Sequence, residues 1–572
     1  MNEEPKNVWS KSWNLPRPFW VVAVLSFVFC LMLFILMLAK GYYTTGALAL
    51  VILIPGVVSL YLFFRWLCHW RNFKRFLFAA ACLATLVALF YAEENWRGKR
   101  AWEKYKQEME AKGEKFHLKD FIPPPPPLNE NFATTPVIAS CYESMVDTTG
   151  HAMRPHLTNV VDRLEMPITA DVEKHVPTNG YWAKGTSTDL SVWQAYYRQL
   201  AASTNQFPIP PTPQTPAADV LFALGKYNPT LEEVRTASRL PYAQFPLEYD
   251  NDNPAGILLP HLARMKGLSR LLQLRAIAEL QNAQSDKALE DIQLSLFLEK
   301  SLRVEPFIIS HLVRIAMTEI TLQPIYEGLA NHRWTDPQLS ALDAELAKLD
   351  FLADYEYSMR GERICHISVL DYLRHTRAIN LFDDFENPGN LDRLQSVALY
   401  LMPSGFYYQT EVHLSKMHEQ WVFPVVDTTS RIVSPAKVRE NEAAITNSLK
   451  HLTLQTRLVS LLFPSVLAAT KRYAREQSSV DLARIAIALE RYRLPHGEFP
   501  DSLESLAPQF INVIPHDLIN GRPLNYHRTA DGQFTLYSVG WNETDDGGTT
   551  SLTDHGSVDF DKGDLVWSYP AK

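Results

Sequence analysis

The sequence predicts a mainly α-helical protein: a membrane segment of three helices, then a large soluble part in which helices dominate. Three observations lead there. Uncharged apolar runs fill residues 19–39, 44–64 and 76–92. Glycine is scarce (23) and proline plentiful (37), which suits helices joined by proline-punctuated connections better than a β-sandwich or a Gly-rich nucleotide-binding fold. Residues 256–380 repeat apolar side chains at helical spacing.

The first two runs are long enough to cross a hydrocarbon core of about 30 Å, and the third lies near the lower limit. Pro55-Gly56 sits inside the second run, which membrane helices tolerate. A cleaved signal peptide is the alternative for the first run, weakened by its length and by the spans that follow. Lys and Arg are equal in number on the two sides, so the positive-inside rule gives a tie. Glu93 and Glu94 beside the third span and the usual dominance of the N-terminal signal favour a cytoplasmic N-terminus, with residues 93–572 outside.

At 572 residues the chain holds several domains. A net charge of −8 argues against nucleic acid as a partner. Five cysteines without a CxxC pair argue against a disulfide framework and a structural zinc site, leaving one Cys141–Cys365 bridge open.

Residues 93–135 read as a charged juxtamembrane helix carrying Trp96, Trp102 and Tyr105, followed by the polyproline run 123–127. That run is expected to be an extended stand-off between membrane and domain, with an SH3-type ligand as the other reading. Residues 136–255 read as an irregular Pro-rich collar with one helix after Asp189. Residues 256–455 form an α-helical domain. One helix carries Leu268, Leu271, Leu272, Ile277, Ala278 and Leu280, and a second Ala288, Leu289, Ile292, Leu296 and Leu302. Further helices are expected over 306–331, interrupted by Pro324, and over 337–348, begun by Asp336-Pro337. The pairs suggest tetratricopeptide-like hairpins, but no period near 34 residues repeats.

HExxH, GxSxG, GxxxxGK[ST] and GxGxxG are all missing, so no catalytic residue is assigned. His413 and His418 do not share a helical face. Arg360, Glu362, Arg363 and His366, with Asp354 and Asp371 nearby, could line a polar cleft but read better as intrahelical ion pairs.

The C-terminal region carries ordered motifs. A helix through Leu482, Ile485, Ala486, Leu489 and Tyr492 exits at Gly497 and Pro500. Ile514-Pro-His-Asp517 and Asn520-Gly-Arg-Pro-Leu-Asn-Tyr526 follow, then Tyr537-Ser-Val-Gly-Trp-Asn-Glu-Thr-Asp-Asp-Gly-Gly548 and Gly563-Asp-Leu-Val-Trp567. In this order they resemble the major pseudopilin of type II secretion systems. The resemblance covers about 458–572, and the rest of the chain is not recognised. It implies a small α+β domain, 456–572, of one long helix and an antiparallel sheet. It also implies a calcium ion, with Asn542 and Asp564 at the family's ligand positions and Asp545 and Asp546 as extra acids within reach. Asn542 stands where the family has an aspartate, the closing segment is one residue short before Trp567, and Thr549–Asp561 is a polar insertion. The acids therefore either hold calcium or face water. No processed leader of the pseudopilin type precedes Leu458, so the module is expected to be reused as a domain and not built into a filament.

The expected function is a non-enzymatic scaffold or interaction protein of a bacterial inner membrane, multi-pass, with its bulk periplasmic. Its partners would be the lipid bilayer and a protein or a second copy, with no cofactor beyond calcium. The alternatives are a membrane-bound hydrolase with a site in the helical region and, last, a ligand sensor.

Overall fold

The computed structural model describes residues 61, 63–143, 160–169, 176–204, 206–249, 256–377, 400–450, 458–460, 463 and 466–568. The first expected span and most of the second lie outside the described residues. The described chain is mainly helical with small antiparallel sheets and divides into two units, 1–105 with 371–409, and 106–370 with 410–572.

Thirteen α-helices are described: α1 (Trp70–Glu110), α2 (Pro136–Glu143), α3 (Leu190–Thr204), α4 (Pro216–Leu224), α5 (Asn228–Ala237), α6 (Pro260–Gln281), α7 (Ser285–Ser301), α8 (Ile308–Ala330), α9 (Asp336–Leu346), α10 (Phe351–Thr376), α11 (Ser404–Met417), α12 (Pro435–Leu449) and α13 (Val466–His496). Among the described residues, α1 alone is long and apolar enough to cross a membrane. It contains the third expected run.

In the first unit, the stretch of α1 beyond that run packs on the start of α11 through glycines. A Cβ on Gly98 would lie 2.2 Å from the Gly405 carbonyl oxygen, and one on Gly405 1.9 Å from that of Glu94. Polar bonds surround this approach: Gly405 N donates to Asn95 Oδ1 at 2.8 Å and Gln409 Nε2 to Glu94 Oε2 at 3.1 Å.

In the second unit the region 136–255 is more helical than its prolines suggested. Pro216 and Pro229 lie in the first turns of α4 and α5, where proline costs no hydrogen bond and presets φ, and Thr215 Oγ1 caps α4. These helices share one apolar core with α6, built on Trp193, Leu200, Val220, Leu231, Met265 and Leu272. The polyproline run lies against Gln244–Tyr249, with Gln244 Nε2 donating to Pro123 O at 3.1 Å. Pro123, Pro124, Pro125 and Pro127 remain exposed.

α6 and α7 form the expected hairpin, and their predicted apolar residues are buried except for the half-buried Leu289. Two expectations nearby are corrected. α9 is capped by Thr335, whose N–H donates to Gln338 Oε1 at 3.0 Å, one residue before the Asp336 expected as the cap. α8 runs unbroken through Pro324. A proline cannot donate to the carbonyl four residues earlier, here Ile320. Gln273 Nε2 of α6 supplies that bond at 3.0 Å, while its Oε1 accepts from Asn179 Nδ2 at 2.6 Å.

α13 departs most from expectation. Its predicted apolar face is buried except for the half-buried Tyr492, but so are Val480, Ala483, Ile487, Glu476, Gln477, Ser479 and Glu490, so it is a core helix and not an amphipathic one. α8, α9 and α12 cover the faces that the sheet leaves. That sheet has order β3-β4-β7, all antiparallel, with β3 Asn525–Arg528, β4 Phe534–Ser538 and β7 Leu565–Ser568. A two-stranded ribbon, β5 (Thr550–Leu552) with β6 (Val558–Gly563), occupies the insertion, and β1 (Val426–Asp427) pairs with β2 (Ile432–Val433). β7 docks on α8: the Trp567 ring lies 5.1 Å from Trp182 and 5.6 Å from Tyr326, whose hydroxyl donates to Ser568 O at 3.0 Å. Cys141 and Cys365 are both free thiols.

Replacing Gln273 by Leu strands the Ile320 carbonyl and the Asn179 amide together. A loss of about 1–3 kcal/mol is expected, read as a lower Tm of the full chain. An unchanged Tm would mean that water already satisfies both groups.

Candidate functional site

After β4 the chain turns at Gly540 (φ +71°) into the acidic loop, then left-handed again at Glu543, Gly547 and Gly548 (φ +61°, +69° and +76°). Such turns aim successive N–H groups inward and make a concavity for an anion. Asp564, 4% exposed between β6 and β7, fills it. Its carboxylate accepts from Asp546 N at 3.1 Å, Gly548 N at 2.7 Å and Thr549 N at 3.3 Å. Burial raises the Asp564 pKa, and these three donors oppose the rise.

The other predicted ligands make local hydrogen bonds, and Asp545 and Asp546 are exposed. Asn542 Nδ2 donates to Asp546 Oδ2 at 2.7 Å, and Asn542 Oδ1 accepts from Thr544 N at 3.2 Å. Asp545 Oδ1 accepts from Tyr537 Oη at 3.1 Å and from Gly547 N at 3.0 Å. Beside Asp564 lies a cavity of about 30 Å³, room for one water, whose walls include the cations Lys471, Arg475 and Lys562. Calcium needs six to eight converging oxygens. As placed, this loop converges N–H groups instead, and among the described residues no three His, Cys, Asp or Glu side chains gather for a metal. The arrangement does not fit a calcium ion, so calcium binding rests on the resemblance alone.

Asp517 received no role from the sequence beyond its motif. It is 1% exposed and accepts from Ile519 N at 3.0 Å, Ser538 Oγ at 2.9 Å and Val539 N at 2.9 Å. It ties the approach loop to the end of β4. A proline two residues before a lone aspartate was the only available signal.

The helical body holds a second polar constellation. Arg314, fully buried, pairs with Glu299 at 2.6 Å and Asp354 at 2.9 Å. His311 lies 3.0 Å from Arg314 and 3.0 Å from the Glu305 carbonyl, and burial with the neighbouring guanidinium lowers its pKa to about 3. Glu305 contacts His261 Nε2 at 2.7 Å and accepts from Ser310 Oγ. A Ser, a His and an acid are thus adjacent, but in the wrong order. An activated serine donates to the imidazole, with the acid behind it. Here the acid lies between them, and all three side chains are buried.

His366 and His418, unrelated by sequence spacing, meet with ring centroids 6.0 Å apart, and Phe463 and Phe423 close over His418. His418 opens a π-helical turn, His418–Val422, and burial drives its pKa well down. Of the expected intrahelical pairs, Arg360–Glu356 at 2.7 Å and His366–Glu362 at 3.3 Å form. Arg363, however, reaches Glu114 at 2.6 Å, 249 residues away in sequence.

Set against protein-family models, curated proteins and solved structures, the chain matches none.

Asp564→Asn should lower the Tm of the full chain equally in calcium and in chelator, while the wild type melts alike in both. A wild-type Tm several degrees higher in calcium would restore the metal. A separate outcome concerns Asp481 of α13, whose pKa burial pushes up to about 6. The folded state holds this proton more tightly than the unfolded chain, so the group costs stability increasingly as pH rises from the ordinary aspartate range to about 6. Asp481→Asn should therefore raise Tm at pH 7.5, by the equivalent of about 3 kcal/mol at most, and lose that advantage near pH 4. A lower Tm at pH 7.5 would show the carboxylate to be stabilised by Arg431 and Arg484.

Proposed function

We propose that the chain is a membrane-anchored, non-enzymatic scaffold or interaction protein. In this reading it crosses a bacterial inner membrane three times, at 19–39, 44–64 and 76–92, with a cytoplasmic N-terminus and its bulk in the periplasm. Residues 456–572 are a pseudopilin-like module reused inside a larger body, and the partner is a protein or a second copy. One observation carries the reading. Within α1, Leu77, Phe78, Leu83, Leu86, Leu89 and Phe90 are each half or more exposed, an apolar surface that water would penalise and lipid would not. The module is supported by the motif residues at the exit of α13, by the antiparallel β3-β4-β7 sheet packed on that helix, and by Trp567 in its last strand. The non-enzymatic part is supported by the burial of every Ser, His and acid constellation described above.

After alkaline carbonate extraction the full chain should stay with the membranes, and protease should digest its bulk in right-side-out vesicles but not in inverted ones. Release by carbonate would overturn the anchor, and digestion only in inverted vesicles would overturn the orientation. Hydrolysis of ester or peptide substrates by the purified chain, abolished by Ser310→Ala, would overturn the non-enzymatic reading.

A further inference from the structure

We propose that the bend spanning residues 63–76 is a binding surface for acidic phospholipid headgroups. This rests on the membrane reading and adds which lipid that end of the anchor contacts.

The bend is built, not loose. Residues 63–67 are helical, the chain turns at Cys68-His69, and α1 starts at Trp70. Cys68 N donates to Phe64 O at 3.0 Å, Asn72 Nδ2 to Trp66 O at 3.1 Å, and Phe73 N to His69 O at 3.0 Å. The Phe63 ring stacks near Trp66 at 6.2 Å and meets Phe76 edge-on at 5.7 Å, pinning the two helical stretches together.

On this frame Arg65, Arg71, Lys74 and Arg75 are all exposed, and none pairs with a carboxylate among the described residues. Arg71, Lys74 and Arg75 lie three and four apart and so share one helical face. No Asp or Glu occurs between Glu4 and Glu93, so neither the bend nor the apolar runs beside it carry an acid to neutralise them. The other end of the apolar stretch differs. There Arg97 pairs with Glu94 at 2.7 Å and Lys99 with Glu103 at 3.7 Å, each on its own helix. One flank supplies its own counter-charges, and the other finds none among the described residues.

The position identifies the source. Lys74 and Glu93 are 19 helical residues apart, about 28 Å along the axis, which is close to the thickness of a hydrocarbon core. When Glu93 meets one headgroup layer, the four cations lie in the other. Exposed Tyr61, Phe64 and Trp70 accompany them at the level where aromatic rings prefer to sit, and Lys74 lies 5.2 Å over the Trp70 ring. Fixed cations among interfacial aromatics complement the phosphate layer of an anionic leaflet.

The test uses the full chain reconstituted in phosphatidylcholine bilayers doped with spin-labelled phosphatidylglycerol or spin-labelled phosphatidylcholine. The phosphatidylglycerol label should be immobilised at the protein several-fold more than the phosphatidylcholine label. Roughly 1 M salt, where the screening length is about 3 Å, should weaken that preference. The variant R65Q/R71Q/K74Q/R75Q should reduce it to parity while the Tm of the soluble body stays unchanged. Equal immobilisation of both labels by the wild type overturns the headgroup surface and leaves the anchor standing. So does a crosslink from Cys68 to an acidic protein segment with no lipid preference. Immobilisation of neither label overturns the anchor and the surface together.

Discussion

A long helix buried on every side imposes a condition on everything around it: each of its polar groups must find a partner inside the protein. α13 meets that condition for most of them by reaching into its neighbours; one exception is Glu476, fully buried with neither oxygen hydrogen-bonded, whose pKa burial drives well up. Gln477 Oε1 accepts from Phe351 N at 2.8 Å and so completes the start of α10. Arg484 bonds Asp343 of α9 at 2.8 Å, Arg475 bonds Glu319 of α8 at 3.0 Å, and Glu490 pairs with His332 at 2.9 Å just beyond α8. Thr470 donates to Tyr355 Oη at 3.2 Å. Removing Gln477 Oε1 leaves the buried Phe351 N–H uncompensated, whereas the Arg475 and Arg484 pairs are partly exposed. The directions of α8, α9 and α10 are in this sense dictated by side chains of one helix, and the sheet covers what remains.

That helix also shows where reading a sequence succeeds and fails. Its apolar positions were legible because burial on one side leaves a period, and α6 and α7 were legible for the same reason. Burial on the remaining sides was not, because Glu476, Gln477, Ser479 and Asp481 read as a solvent face. Ser479 and Asp481 bond back within α13, the Glu476 carboxylate makes no hydrogen bond, and Gln477 alone reaches another helix, at Phe351 N 126 residues away. Distance in sequence also hid Arg363–Glu114 and the meeting of His366 with His418. Proline misled twice for local reasons. In α4 and α5 it starts helices that it was expected to break. In α8 its missing donor is made good by a glutamine 47 residues away from the carbonyl it serves. In the acidic loop the composition was legible, but backbone handedness decides what the acids do, and only the φ values at Glu543, Gly547 and Gly548 disclose it.

The charged core of the helical body stands apart from the acidic loop. Taking Arg314, Glu299 and Asp354 out of water costs more than their pairing is certain to return, so this triad is weak evidence for stability. What it supplies is selectivity among packings. A slip of α8 against α10 would leave a guanidinium unpaired in an apolar interior, a far larger cost than a misplaced Leu. The Asp564 clasp works by a similar exclusion. A loop that presents three N–H groups to one point is left with bare donors when the carboxylate withdraws, so the β6–β7 junction and the loop hold together or open together.

The proline in α8 and the glutamine that serves it also constrain the order in which this sequence can change. While Pro324 is present, position 273 must keep a side chain that can donate to the Ile320 carbonyl. Once position 324 regains an N–H, that carbonyl is served from within its own helix, and the requirement on 273 shrinks to the bond with Asn179. The reverse path, losing Gln273 first, passes through a half-buried carbonyl left without its protein partner. The two positions therefore form a ratchet: drift at one is permitted only after a particular event at the other. Chains descended from a common ancestor would carry proline at 324 only alongside an amide or another donor at 273.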